Sequence, residues 1–278
     1  MKGIEKSIGE AATQIANDID ANCIISVEKK IKEEFEDINE IDVKVTVFKK
    51  VRKGVYSKNE YSTKVRKVSG GSIVPVKDLL IEAINKKYIN KGDRVVCVQD
   101  ESMGTGYRGL LFVFDVDKVF FDISKHHLTD NINSEVIESI INLALEIGRE
   151  GREGKKIGTA FVIGDKNEIM KYSKQMIINP FSGYDGDVRN ITDPSMKDTI
   201  KEFAQLDGIF MIDKEGVILS AGTYINIDAK GINFPGLGTR HLCCAALTNK
   251  VDSIAVVVSE SGGNVVVFKN GKGVMKLP

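Results

Sequence analysis

Apolar side chains recur every three to four residues through Ile4, Ile8, Ala11, Ala12, Ile15 and Ile19, which predicts an amphipathic helix over residues 4–22. The period then shortens. Asn22 precedes the compact run Cys23-Ile24-Ile25-Ser26-Val27, which reads as a strand. A charged helix is predicted over 29–38, and Val43–Val47 alternates apolar with polar as a strand does. Residues 49–72 are polar, basic and rich in Gly and Ser, and read as a long loop. A helix over Val76–Tyr88 stops at Asn90-Lys91-Gly92, and strands are expected at Arg94–Gln99, Leu110–Val116 and Val119–Ile123.

The polar stretch Ser124–Asn133 marks the domain boundary, which gives domains over 1–128 and 129–278. Beyond it Val136, Ile137, Ile140, Ile141, Ala144, Leu145 and Ile147 form the stripe of a second amphipathic helix, followed by G-R-E-G-R-E-G-K-K and the strand Gly158–Ile163. A helical segment over Pro194–Gln205 leads to the strand Gly208–Ile212, and the turn Asp213-Lys214-Glu215-Gly216 joins it to Val217–Ala221 as a hairpin. Strands at Ile254–Val258 and Val265–Phe268 flank Ser259–Asn264. Interleaved strands and helices in both halves give an α/β class, with a mixed sheet in the second domain because of its hairpins.

Composition narrows the partners. The 278 residues are 42% hydrophobic and 28% charged, room for two domains with real cores. Lys+Arg and Asp+Glu balance at 39 each, so bulk charge argues for neither nucleic acid nor an anionic membrane. The local basic runs (Lys49, Lys50, Arg52, Lys53; Lys155, Lys156) read as solvated faces. The polar N-terminus lacks the apolar core of a signal peptide, and no apolar run approaches the roughly 18 residues of a membrane span, so a cytoplasmic location is expected. Cys23, Cys97, Cys243 and Cys244 lack the spacing of a zinc site and read as buried thiols.

Two glycine motifs contrast. Gly104-Thr105-Gly106-Tyr107-Arg108-Gly109 matches G-x-G-x-x-G, but the strand-like L-L-F-V-F-D-V follows where a dinucleotide site needs a helix. Gly236-Leu237-Gly238-Thr239-Arg240-His241 precedes the helix-forming Leu242–Thr248, with Thr239 as the expected N-cap. That helix start, with Arg240 beside it and His241 in its first turn, suits an anion such as a polyphosphate. Asp207-Gly208 stands before apolar Ile209-Phe210-Met211, where an acid is expected to be partly buried unless it binds a metal or orients a hydroxyl, and a turn aspartate is the plainer alternative. Tyr224 suits stacking on a base, and Ser259-Glu260 closes a strand beside Gly262-Gly263.

In order, D-G-I at 207–209, A-G-T-Y-I at 221–225, G-T-R-H at 238–241 and V-S-E at 258–260 resemble the diadenylate cyclase family, with G-K-K-I-G-T-A-F-V-I-G similar to an upstream strand of that family. The first half, with K-G-D-R-V-V-C-V, resembles the C-terminal α/β domain of pyruvate kinase, an arrangement similar to the archaeal branch, with a regulatory or oligomerising role for that domain. The resemblance implies condensation of two ATP into cyclic di-AMP with release of two pyrophosphates, dependent on Mn²⁺ or Mg²⁺. It implies Asp207 as the catalytic acid, with Gly208 and Arg240 in the catalytic set and Asp207 and His241 toward the metal. Tyr224 and Ile225 would contact adenine, Gly238, Thr239, Arg240 and His241 the phosphates, and Ser259 and Glu260 would complete the ATP site. Three positions depart from the family pattern: Ile209 in D-G-I where the family has Ala, Leu242 where it has a second arginine, and Ser261 where many members carry a second acid. One such constellation holds one ATP, so two catalytic domains must meet face to face in a homo-oligomer. A nucleotide or cyclic-dinucleotide sensor without turnover is the competing reading, and a structural α/β protein the third.

Overall fold

The computed structural model describes residues 2–30, 40–52, 54–66, 74–100, 108–229 and 237–278. The chain divides into two compact units, Met1–Lys125 and His126–Pro278. The helix expected over 29–38 and most of the Gly104–Gly109 motif lie outside the described residues.

The first unit runs α1 (Lys2–Asp18), β1 (Cys23–Lys29), β2 (Glu40–Arg52), β3 (Val55–Arg66), α2 (Val74–Asn85), β4 (Arg94–Asp100), β5 (Gly109–Asp115) and α3 (Lys118–Lys125). Its sheet has the order β3-β2-β1-β4-β5, with β1 and β4 parallel and the other pairs antiparallel. Strand alternation divides the core in two. Cys23, Ile25 and Val27 of β1 cluster with Leu79 and Leu80 of α2, while Ile24 of β1 packs with Ala12 and Ala16 of α1.

Two expectations fail here. Residues 49–72 were expected to form a loop, but most of them extend β2 and β3 into a hairpin paired from Glu40↔Arg66 to Arg52↔Val55. The strands' polarity reflects one solvated face: in β2, Val43, Val45 and Val47 are buried, whereas Lys49 and Lys50 lie toward the tip. Val119–Ile123, expected as a strand, is the helix α3, because the Asp117 carboxylate accepts the Phe120 N–H (2.8 Å) at its start and Phe120 and Ile123 share the buried face.

The second unit runs α4 (Ser134–Glu150), β6 (Thr159–Gly164), α5 (Lys166–Met170), β7 (Ser173–Gln175), α6 (Met196–Phe203), β8 (Ile209–Ile212), β9 (Ile218–Ile225), α7 (Thr239–Lys250), β10 (Ser253–Val258), β11 (Val265–Lys269) and β12 (Lys272–Leu277). The seven strands order as β12-β11-β10-β6-β8-β9-β7 in a mixed sheet, with β6 and β8 its parallel pair. Every residue of β6, β8 and β10 is buried, which requires cover on both faces. Ala160, Val162, Ile209, Met211, Ala255 and Val257 cluster with Cys244, Ala245 and Leu247 of α7. The alternate residues face the other way, where Phe161 and Phe210 stack at 5.0 Å and α4 contacts β10 and β11. Asn133 caps α4 by accepting the Glu135 N–H at 3.0 Å. No helix among the described residues is long and apolar enough to cross a membrane.

The turn after β10 is fixed to α4 by two glycines. The Gly263 N–H donates to Ser259 O (2.8 Å), and Gly263 has φ +70° with its Cα facing the Gly148 carbonyl. A Cβ on either glycine would run into the other's backbone. Gly263→Ala should therefore lower stability by at least about 2 kcal/mol, from left-handed strain and steric overlap together. Chemical denaturation of the variant checks this, and an unchanged midpoint would show that the turn can lift off α4 freely.

Candidate active site

Strand direction brings four separate segments of sequence to one edge of the second sheet. β6 and β8 are parallel, so Gly158 and Asp207-Gly208, which precede them, lie at the same edge. β10 and β9 run the opposite way: Val258 pairs with Thr159, and Thr223 with Ile209. Ser259–Ser261, which follow β10, and Tyr224-Ile225, which end β9, therefore lie at that edge too. Together with the start of α7 they enclose a cleft of about 480 Å³.

All ten residues singled out in the sequence line this cleft. Asp207 and Gly208 come from the segment just before β8, Tyr224 and Ile225 from the end of β9, Gly238, Thr239, Arg240 and His241 from the start of α7, and Ser259 and Glu260 from the turn just after β10. Met176, Leu237, Cys243 and Ser261 also line it and were not proposed as ligand contacts. Met176 follows the three-residue β7, too short to leave a periodic signal, and Leu237 looks like ordinary loop filler in sequence. Cys243, expected to be a buried thiol, is half-buried at the cleft, and burial still pushes its thiol up. The departure Ile209 is on the cleft wall; Leu242 is not among the lining residues.

Backbone contact sets the β8–β9 wall. Gly208 has φ +107°, and a Cβ there would stand 2.7 Å from the Thr223 nitrogen and 2.8 Å from the Gly222 carbonyl carbon. The pairing slips by one residue between Ile209↔Thr223 and Met211↔Ser220, a bulge in β9 at Ala221-Gly222. Gln175 holds this bulge, its amide donating to Ala221 O (2.6 Å) and its carbonyl accepting from Thr223 Oγ1 (3.3 Å). The next residue, Tyr224, is 46% exposed, enough for its ring to meet a ligand.

The charged groups meet opposite the helix start. Arg240 Nη2 donates to Asp207 Oδ1 at 3.0 Å, and the same oxygen accepts the Gly208 N–H at 2.8 Å. The Asp207 side chain is 81% exposed rather than partly buried, because Asp207 stands before β8 begins rather than within it. Gly158 leaves room behind the guanidinium: a Cβ there would lie 2.9 Å from Arg240 Nη1 and 2.9 Å from Glu260 Cβ. The expected N-cap is displaced by one position. Gly238 occupies it without a side-chain cap bond, and Thr239 is the first residue of α7. The N–H groups of His241 and Leu242 donate to Gly238 O, and those of Thr239 and Arg240 have no acceptor among the described residues.

His241 is 6% exposed, sits edge-on to Phe268 with ring centroids 6.2 Å apart, and has no partner for Nε2 among the described residues. Burial, and then the neighbouring Arg240 charge, hold its imidazole below the ordinary histidine value. A neutral imidazole with an orphaned nitrogen is a ready acceptor or ligand. Among the described residues no group of three or more His, Cys, Asp or Glu side chains is placed to hold a metal alone. Asp207 and His241 are two donors on one cleft, a set that fits a divalent ion drawing its other ligands from a bound polyphosphate.

Comparison with known proteins adds an independent line. Residues 146–273 match the family model described as "DisA bacterial checkpoint controller nucleotide-binding". A protein named diadenylate cyclase from Methanocaldococcus jannaschii is 39% identical over 197 residues, covering 69% of this chain and 62% of the relative. One of the same name from Haloferax volcanii is 36% identical over 143 residues, 51% of this chain and 52% of that one. The chain thus spans between about half and two thirds of the length of these relatives. A solved chain of DacA from Staphylococcus aureus is 20% identical with a TM-score of 0.34, covering 50% of this chain and 83% of its own, too remote to bear on the fold.

His241 generates a prediction about the metal-free chain. Its folded-state value lies below the unfolded value of about 6.5, so as pH falls through 6.5 the unfolded chain takes up a proton that the folded one refuses. Stability contributed here therefore falls with falling pH. His241→Phe keeps the ring against Phe268 and removes the orphaned nitrogen, and should raise the neutral-pH stability by about 1 kcal/mol and abolish that acid-side component. Thermal melts in chelator-containing buffer between pH 7.5 and 5 check both, and identical pH slopes for the two proteins would contradict the assignment.

Proposed function

We propose that this chain, whose residues 146–273 belong to the diadenylate cyclase family, condenses two ATP molecules into cyclic di-AMP and releases two pyrophosphates. The observation that carries the proposal is the convergence of four separated motifs on one cleft, with the Asp207 carboxylate and the Arg240 guanidinium in contact at its mouth. The relatives' shared name supports the same reaction.

In this reading the apolar wall of Ile209, Tyr224, Ile225 and Leu237 takes the adenine, and the start of α7 takes the phosphates on the Thr239 and Arg240 N–H groups. Arg240 exchanges its bond to Asp207 for a charge-assisted bond to phosphate, and the released Asp207 orients the attacking 3′-hydroxyl. That hydroxyl, giving up its proton to the Asp207 carboxylate, attacks the α-phosphorus of the second ATP in line, the bond to the β-phosphate oxygen breaks, and pyrophosphate leaves with the electron pair. Mn²⁺ or Mg²⁺, held by Asp207 and His241, would supply neutralisation of the charge on the phosphates. Ser259 and Glu260 close the far side. The cleft volume of about 480 Å³ suits one nucleotide, so the second ATP comes on a second copy, with two catalytic domains face to face.

We further infer that residues 129–278 form the catalytic domain and residues 1–128 a module of the pyruvate-kinase C-terminal type that regulates or oligomerises the enzyme. Its α/β sheet with helices on both faces supports that assignment, as does a match to the M. jannaschii protein too long to fit within His126–Pro278. The absence of any long apolar helix among the described residues fits a cytoplasmic enzyme.

Incubation with ATP and Mn²⁺ or Mg²⁺, read by mass spectrometry, should give cyclic di-AMP and pyrophosphate. Asp207→Asn should fold and make no product, since the carboxylate is exposed and its loss costs little stability. Arg240→Ala should weaken ATP binding by about 1.5–3 kcal/mol, roughly ten- to a hundred-fold. Wild-type turnover in either variant would remove that residue from the reaction. The face-to-face arrangement has its own test. Co-purified wild-type and Asp207→Asn chains should accumulate the linear intermediate, because a mixed pair completes one attack and stalls before ring closure. Cyclic product alone, in proportion to wild-type pairs, would contradict the assignment of Asp207 to its own subunit's nucleotide.

A further inference from the structure

We propose that Lys155 and the groove it shares with Glu260 and Ser261 form a subsite for the outer phosphates of a nucleoside triphosphate, supplying a second cation besides Arg240. The inference rests on the reading of the main cleft as a triphosphate site.

Three observations carry it. First, an open groove lined by Lys155, Lys156, Glu260 and Ser261 continues from the main cleft, because Glu260 and Ser261 line both. Second, the two lysines are not equivalent. Lys156 Nζ donates to the carbonyls of Gly148 (3.0 Å) and Arg149 (3.1 Å) and so closes the C-terminal end of α4. Lys155 is exposed, and no hydrogen bond or ion pair takes up its amine among the described residues. Its backbone is nevertheless fixed, by reciprocal bonds with Arg152 of 2.9 Å each. Third, the chain runs from Lys155 to Gly158, where a Cβ would touch both the Arg240 guanidinium and Glu260. Three residues span at most about 10 Å, which keeps Lys155 within reach of phosphates that extend from Arg240 into the groove.

The chemistry explains why a cation belongs there. Arg240 and the open N–H groups at the helix start can neutralise phosphate close to the reacting α-phosphorus, but α7 continues with Leu242 rather than a second basic residue. On the side of the cleft that runs into the groove, the other charged side chain lining both is the Glu260 carboxylate, which favours a cation beside it when phosphates bind. A flexible ammonium on the groove's far side gives them a point-charge partner and stays with pyrophosphate as it departs.

Calorimetric titration of the 278-residue chain with ATP and with AMP, in Mg²⁺ at fixed ionic strength, tests the subsite. Lys155→Met should weaken ATP binding roughly three- to ten-fold and leave AMP binding unchanged, and Lys155→Arg should restore it. Lys156→Met should instead lower the melting temperature, since its amine caps α4. An ATP-to-AMP affinity ratio that is the same in wild type and Lys155→Met overturns the proposal, as does failure of the wild type to bind ATP. If the wild type binds ATP with a Lys155-dependent ratio yet makes no cyclic product, the subsite stands and the reaction assignment falls; product formation with a Lys155-independent ratio gives the converse.

Discussion

The arrangement of the second unit depends on strand pairing in a mixed sheet. Because β6 and β8 are parallel and β9 and β10 oppose them, two strands begin where two others end. Residues more than a hundred positions apart, from Gly158 to Ser261, are brought side by side by the strand pairing. A register slip of one residue would turn Ile209 and Val258 to the other face and dissolve the cleft wall. Complete burial of the three central strands enforces the register, since any slip would have to repack both faces at once. The polar ends of those strands, which would be ordinary loops elsewhere, thereby become a constructed surface.

Close backbone approach refines what the register sets up. At Gly208 against the β9 bulge, at Gly158 behind Arg240 and at Gly263 against α4, a missing Cβ lets one segment of main chain or a guanidinium enter space that any other residue would fill. The glycines thus do more for the site through the neighbours they admit than through any contact of their own. This bears on Gly208, which the sequence marks as a ligand contact: it lines the cleft, and its geometry is also demanded by the strand beside it.

How much could be read from the sequence varied with the physical source of the signal. The long amphipathic stripe of α4 and the buried runs of β6, β8 and β10 were visible because burial dictates their period. The convergence of Asp207, Tyr224, Arg240 and Glu260 was visible only through the ordered motifs and their resemblance to a family, since spacing along the chain carries no information about sheet order. The β2–β3 hairpin was misread because its solvent face is as polar as a loop, and α3 because Val119-Phe120-Phe121 favours a strand until the Asp117 cap is seen. The cap of α7 fell one residue from Thr239 because Gly238 fills that position without a side chain. Cys243 and Met176 could not have been found as cleft residues without coordinates: one follows from the rotation of a helix, the other from a three-residue edge strand.

The bond between Asp207 and Arg240 has a thermodynamic consequence for anything that enters the cleft. A purely anionic ligand that draws the guanidinium away leaves a bare carboxylate, and a purely cationic one leaves a bare guanidinium. A species carrying both signs leaves neither. Each half of such a ligand therefore binds better when the other is present, and by linkage the gain is mutual and equal in the two directions. The pair is exposed, which limits this coupling to about 1 kcal/mol, or several-fold in affinity. It is a small bias, but it separates a salt of metal and polyphosphate from either ion offered alone.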